Sequence, residues 1–550
     1  MILSKTHLSH SISSVFSRGH YEKERSLSTA IPLQENDDGH SLLDHEDNLF
    51  QALMKDPEIV CDEIVLSESC TRQPTSGMMG SESSLRNITL SSYKKYEECR
   101  KCWNRAIDKY PSLILYCSSQ LHVISCIQWI RRNVVKTTLP TQYPIRIRSG
   151  SHSYEGFSTD NKAIVIDVSR MKNISLNEKE STVTIEAGVQ NAELNKALHE
   201  AGGQHVFPGG ACPTVGVVGY SLGGGWSFAS RAFGLGCDNI VGLEIVDFNG
   251  HVLKVNEKEN ADLFWACRGA GAGNFGIVTS MTLRIHQVKQ PMASLIMMNY
   301  SHCCPVKMAS MVNSWQDTMN HAPSRFNGKI NIYHCDKDGI GFSMIAMLLG
   351  EKQEAVNCLQ DFLSKCPDEP GWDIGGQSSC VATVKYMPIH EVFKAIGDIH
   401  PEYEIFKSSG RFAMRDFTLE EIENFIKIVQ NKPQGSIYAA ISLYGLGGAI
   451  RETPKEHTAF AYRDAKAIIG IQTQWNDSST HAKENSKWVV EMMKSRIIPL
   501  TCGSFINFPL LELENYKQEY FGRDPETLKR LERIKQQYDP LRFFTFPQGL

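Results

Sequence analysis

Apolar and polar positions change period repeatedly after about residue 90 of this 550-residue chain. "YKKYEECRKCWNRAIDKY" has helical spacing and predicts a helix closed by Pro111. "SLILYC", "IRIRSG", "AIVIDVS" and "TVTIEAG" are short apolar or alternating runs that predict strands. Between them, "QLHVISCIQWIRRN" and "NAELNKALHEAGG" read as helices, the second closed by glycine. Further on, "KINIYHCDKDGIGFSMIAMLLG" predicts a hairpin and "AYRDAKAIIGIQTQW" a strand. "TLEEIENFIKIVQN" and "SKWVVEMMKSRI" predict helices, and "PETLKRLERIKQQYDPLRFFTFPQ" a helix running into an aromatic strand or turn. Strands alternating and mixing with helices give an α/β or α+β class. Residues 1–85 lack such a pattern. They are polar and irregular, with "LFQALM" as one short helix, and are expected to form a disordered or loosely attached extension without chemistry of its own.

Length and composition narrow the picture. A chain this long predicts two or three domains. With 41% hydrophobic and 21% charged residues it reads as an ordinary globular protein, and a net charge of −4 provides no basic field for nucleic acid or an anionic membrane. No apolar run is long enough to span a bilayer. The sixteen cysteines, two of them adjacent at Cys303 and Cys304, form no repeating framework and read as buried thiols in a reducing compartment. The pair Cys99 and Cys102 stands alone and is expected to pack rather than bind metal. No secretory signal is evident, so the expected location is cytoplasmic; the serine-rich, acid-free residues 1–21 leave an organelle as the alternative.

The candidate chemistry lies in three glycine-dense loops: "RIRSGSHSYEG" (146–156), "GGACPTVGVVGYSLGGGW" (209–226) and "RGAGAGNFGIVTS" (268–280). They contain neither the strand-to-helix G-x-G-x-x-G nor a G-x-x-x-x-G-K-[ST] loop. One such cluster would be a tight turn. Three, the first two holding His152 and Cys212, point to backbone brought close to a large flat ligand with a diphosphate.

These loops, with "FGLGCDNIV", "DLFWACRGAGAGNFGIVTS" and the tail "YDPLRFFTFPQ", lie in the order found in a known family. The sequence resembles the berberine-bridge-enzyme-like branch of the vanillyl-alcohol-oxidase (PCMH-type FAD-binding) superfamily. The resemblance implies an α+β fold: a two-part FAD-binding domain over 86–287, a substrate domain over 288–500 with an antiparallel sheet covered by helices, and a segment 501–550 returning to the FAD domain. It implies FAD linked covalently to His152 and to Cys212. The amides of Ser149, Gly150 and Ser151, after Arg148, would cradle the pyrophosphate. Ser151 stands where the family has glycine and is expected at negative φ. The Cys212 thiol is expected to be lowered by neighbouring amides or the flavin. Pro213, Thr214 and Val215 would line the ring edge; Asn274, Gly276 and Val278 would lie near the adenosine or ribityl part.

Two departures bear on chemistry. Gly219 and Tyr220 stand where many relatives have Gly-His, so a phenol would donate to the flavin's N1–C2 side. "SFINFPLLEL" places Phe505 where relatives carry the tyrosine that takes the substrate's proton and Phe508 where they carry tyrosine or phenylalanine; Tyr462, in place of a frequent histidine, becomes the candidate base, with Gln472 and Gln474 orienting a hydroxyl. Gly210 leaves room for oxygen. The implied activity is oxidation of an alcohol or amine-bearing carbon of a small-molecule sugar or secondary metabolite with O2 as acceptor. A dehydrogenase using another acceptor, and a flavin-binding protein without turnover, are the alternatives.

Overall fold

The structure, a computed structural model, describes residues 53, 59–67, 88–89, 93–135, 143–366, 379–477 and 479–550. It is α+β, as expected, and is built on three main sheets. The first orders its strands Ile88–Thr89, Glu63–Leu66, Leu113–Tyr116, Ile164–Asp167, Ile145–Arg148. The last three run parallel, and the Ile145–Arg148 strand delivers the chain directly into the loop that carries His152. The second sheet is antiparallel, in the order Val252–Val255, Ile240–Val246, Ile277–Arg284, Thr182–Glu186, Ile174–Asn177.

Two expectations about this region need correction. Residues 1–85 are not wholly outside the fold. Glu63–Leu66 pairs antiparallel with Leu113–Tyr116, and Ile64, Val65 and Leu66 are buried. Four residues are too few for periodicity to stand out from a polar neighbourhood. The short helix expected at "LFQALM" falls, apart from Leu53, outside the described residues. The helix expected to reach Tyr110 ends at Arg100. Asn104 is the local reason: its side chain accepts from Ala106 N and donates to the carbonyls of Tyr154 and Phe406. Such side-chain bonds offer the backbone an alternative to the helix.

The third sheet has seven antiparallel strands, in the order Ser379–Pro388, Met292–Ser301, Gly339–Leu348, Phe326–Cys335, Tyr438–Gly445, Ala467–Gln474, Phe406–Ala413. Strand alternation gives it two faces. Ile330 and Ile332 are buried on the side covered by the helices Pro305–His321 and Leu419–Gln430, while Lys329 and Asn331 line a cavity on the other. Residues 503–508 run along the Phe406–Ala413 strand: Gly410 N donates to Phe508 O, and Phe505 N to Gly410 O. The helix Pro525–Tyr538 then packs on Ala261–Cys267, and the chain ends against the third glycine loop, where Leu550 N donates to Asn274 Oδ1. Among the described residues no helix is long and apolar enough to cross a membrane.

Candidate functional site

A cavity of about 1440 Å³ separates the glycine loops from the open face of the seven-stranded sheet. A typical small-ligand pocket is about 300–1000 Å³, so this one has room for a dinucleotide and a second molecule. Ser149, Gly150, Ser151, His152, Cys212, Val215, Gly219, Tyr220, Gly276 and Val278 all line it. Gly150 lies against the second loop: a Cβ there would sit 2.4 Å from Gly216 N. At Gly219 a Cβ would meet nothing within 4 Å, so this backbone faces open space.

His152 stacks on Trp103, centroids 4.7 Å apart, and its Nε2 is 2.8 Å from Thr214 Oγ1. Burial, with His400 nearby, pushes the imidazole down to about 3, so it is neutral at any working pH. Cys212 Sγ lies 3.8 Å from the same Thr214 hydroxyl. The expected lowering of this thiol is corrected: burial raises it, opposed by hydrogen bonds from Thr214 and from Val215 N.

Other expectations change as well. Ser151 has φ +59°, the left-handed region, and its Oγ has no hydrogen-bond partner among the described residues. Arg148 turns away from the cavity to pair with Asp167 and donate to Cys99 O. Asn274 is buried; it donates to Ala270 O and accepts from Leu550 N, bracing the loop rather than lining the cavity. Pro213 also lies off the cavity wall, beside Gly397. The Tyr220 phenol donates to Pro208 O at 2.7 Å, so its proton is committed within the protein. Its ring fits between Gly225 and Gly236, where Cβ atoms would come within 2.6 and 2.8 Å of it. Gly210 is glycine for a nearer reason than oxygen: a Cβ would meet Asn191 Nδ2 at 2.8 Å and the Tyr220 ring at 3.2 Å.

The structure places Tyr462 away from the cavity. It precedes the strand Ala467–Gln474, is buried, and donates to Glu519 O at 2.6 Å. Burial holds its phenol well above the ordinary range. Besides Tyr220, other tyrosines that sequence did not single out line the cavity, Tyr154 and Tyr444 among them. Tyr154 stacks on Phe508, and Tyr444 has its ring centroid 4.8 Å from Lys329 Nζ and 5.5 Å from that of Phe508. Gln472 and Gln474 line the same wall, Gln474 donating to Glu404. Tyr154 lies two residues from His152 and was legible from proximity alone; Lys329 and Tyr444 come together only through strand register.

Comparison with known proteins gives the class. The family described as FAD binding domain matches residues 111–256, and that described as berberine and berberine like matches residues 504–550. The FAD-linked oxidoreductase YgaK of Bacillus subtilis is 30% identical over 459 residues, covering 83% of this chain and 94% of its own. Xylooligosaccharide oxidase of Thermothelomyces thermophilus is 27% identical, covering 73% and 81%. The fold is that of berberine bridge enzyme from Eschscholzia californica, with TM-score 0.73 at 21% identity over 91% of this chain and 98% of that one. The chain belongs to the berberine-bridge-enzyme-like FAD-linked oxidoreductases of the PCMH/vanillyl-alcohol-oxidase superfamily. Its own residues fit that cofactor. Among the described residues the Oγ atoms of Ser151 and Ser158 are buried without a partner on the cavity wall, donors of the kind a phosphate would satisfy.

Proposed function

We propose that this chain is an oxidase that carries FAD on two covalent links, at His152 and Cys212, and oxidises an alcohol or amine-bearing carbon of a sugar or secondary metabolite with O2 as acceptor. The observation that carries this reading is the placement of His152 and Cys212 on one cavity wall, joined through Thr214, with Lys329, the phenols of Tyr438 and Tyr444 and the carboxamides of Asn331, Gln472 and Gln474 on the facing sheet. FAD, when bound, supplies the hydride acceptor and the route to O2. The sheet supplies the rest.

Tyr444 takes the proton from the substrate's reacting hydroxyl or amine. Lys329 Nζ lies 4.8 Å from the centroid of its ring, a cation–π contact that fixes the ring's position on the wall. Gln472 and Gln474 hydrogen-bond hydroxyls, and the aromatic wall of Trp226, Phe406 and Phe508 packs on apolar ring faces and excludes water. A sugar fits such a mixed wall, and two relatives carry matching names: xylooligosaccharide oxidase and the carbohydrate oxidase of Microdochium nivale.

The test is spectroscopic and kinetic. Purified protein precipitated with acid should keep its yellow colour, with flavin mass on both the His152 and the Cys212 peptides. A panel of oligosaccharides and aromatic alcohols should contain a compound that bleaches the flavin anaerobically and yields one peroxide per turnover in air. Reduction that proceeds with a dye and without peroxide would make the protein a dehydrogenase. Flavin released completely by acid would remove both links.

A further inference from the structure

We propose that the Thr214 hydroxyl is a positioning group that prepares both tethering side chains, setting the tautomer of His152 and supporting the thiolate of Cys212. The inference rests on the two-link reading above.

A neutral imidazole has one N–H and one lone pair, and only the lone pair attacks carbon. Thr214 Oγ1 is 2.8 Å from His152 Nε2 and 3.8 Å from Cys212 Sγ. A hydroxyl has a single proton. If that proton points at sulfur, the oxygen offers only lone pairs to His152. Nε2 must then be the N–H, and Nδ1 carries the lone pair. Among the described residues nothing hydrogen-bonds His152 Nδ1, which is thus left available. If the proton points at Nε2 instead, Nδ1 is protonated and inert, and the sulfur loses its side-chain donor. One rotor therefore switches both nucleophiles on together.

The environment makes this donor necessary. Burial raises the Cys212 thiol, and hydrogen bonds from Thr214 and Val215 oppose it. His152 is neutral and stacked on Trp103, so its nitrogen can be chosen only by what the ring hydrogen-bonds. Thr214 itself is exposed, which gives the proton shed by either group a route to water.

Each linkage balances in the same way. A bond forms from Nδ1 or Sγ to a flavin carbon, and that carbon and the attacking group each give up one proton. The two electrons left on the cofactor reduce dioxygen to hydrogen peroxide. Thr214 takes part by accepting a hydrogen bond from Nε2–H and by donating one to sulfur, and the protons shed leave to water.

The experiment uses holoprotein purified with excess riboflavin in the growth medium. Peptide mass spectrometry measures flavin on the His152 and Cys212 peptides in the parent, Thr214→Val, Thr214→Ala and Thr214→Ser. Valine and alanine should lower both links by roughly tenfold or more in rate of attachment, the worth of a hydrogen bond to a charged group. Serine should restore both. Attachment at Cys212 in Thr214→Val should recover as pH is raised, because the thiolate then forms without its donor; a merely structural defect would not respond in this way. Full occupancy of both links in valine and alanine, or failure of serine to restore them, overturns the proposal. A parent protein without covalent flavin overturns the two-link reading instead, and is seen before any variant is made.

Discussion

The rings of Tyr154 and Phe508 lie 2° from parallel with centroids 5.1 Å apart. This stack joins the loop of His152 to the returning segment 503–508, and it places the Phe508 phenyl beside Tyr444 as well as Tyr154, two of the tyrosines that line the cavity. Burial holds the Tyr154 phenol well above the ordinary range, so its hydroxyl is a poor proton acceptor. Tyr444→Phe should slow anaerobic flavin reduction by about a hundredfold to ten-thousandfold, whereas Tyr154→Phe should cost less than about tenfold. Stopped-flow reduction of both variants decides between the two phenols; equal losses would make them a joint base.

Tyr462→Phe should leave the reduction rate unchanged. The lost bond to Glu519 O should lower stability by about 1 kcal/mol. A melting curve and a single-turnover trace from the same preparation measure both effects. A large rate loss would return Tyr462 to the catalytic machinery.

Ser151→Gly should be neutral or stabilising. A left-handed φ of +59° costs a non-glycine residue about 1–2 kcal/mol. Glycine removes that cost and gives back part of it in unfolded-state entropy. The variant should melt no lower than the parent and still bind FAD. Weakened flavin retention would show that the serine hydroxyl, unpartnered in the protein, is worth more to the cofactor than the strain it imposes.

A chain beginning at residue 86 should be poorly stable. It lacks Ile64, Val65 and Leu66, each buried and each worth about 1.5–3 kcal/mol, together with the pairing to Leu113–Tyr116. Chemical denaturation of the truncated and full chains compares them directly. Identical midpoints would mean that the strand adds nothing.

Acid should destabilise the protein through its buried histidines. His286 and His400 are pushed down to about 4 by burial, against about 6.5 in an unfolded chain. Between these values the unfolded chain binds a proton that the folded one refuses, so stability falls as pH drops from about 6.5 to 4. Each group contributes a slope of at most about 1.4 kcal/mol per pH unit. His286 lies away from the cavity, against Phe233 and Asn239. His286→Gln should therefore flatten the melting temperature over this range without altering FAD binding; an unchanged slope would assign the acid sensitivity elsewhere.

The glycine loops were legible because their signal is local: small residues packed around His152 and Cys212 within a few positions. What was missed depends on contacts distant in sequence. Lys329 and Tyr444 are registered partners on neighbouring strands, and nothing near either residue announces the other. Tyr462 was misread because "AYRDAKAIIGIQTQW" looks like one strand, whereas pairing begins at Ala467. Serine, like other residues with a side chain, prefers negative φ, so the left-handed turn at Ser151 is imposed by the loop's tertiary setting and cannot be read from its neighbours. The thiol of Cys212 was expected to fall because amides surround it; burial acts in the other direction and cannot be read from neighbours in sequence.

The returning segment has a consequence for biosynthesis. Thr545 O accepts from Arg146, Lys535 donates to Asn274 O and Phe544 O, and Phe544, Thr545, Phe546 and Gln548 help to line the cavity. The ribosome makes the glycine loops well before these residues. During translation the loops emerge without their closing wall, and a nascent chain that stalls after residue 500 presents an open cleft. The cavity is therefore complete only once this segment has been made and has docked on the glycine loops.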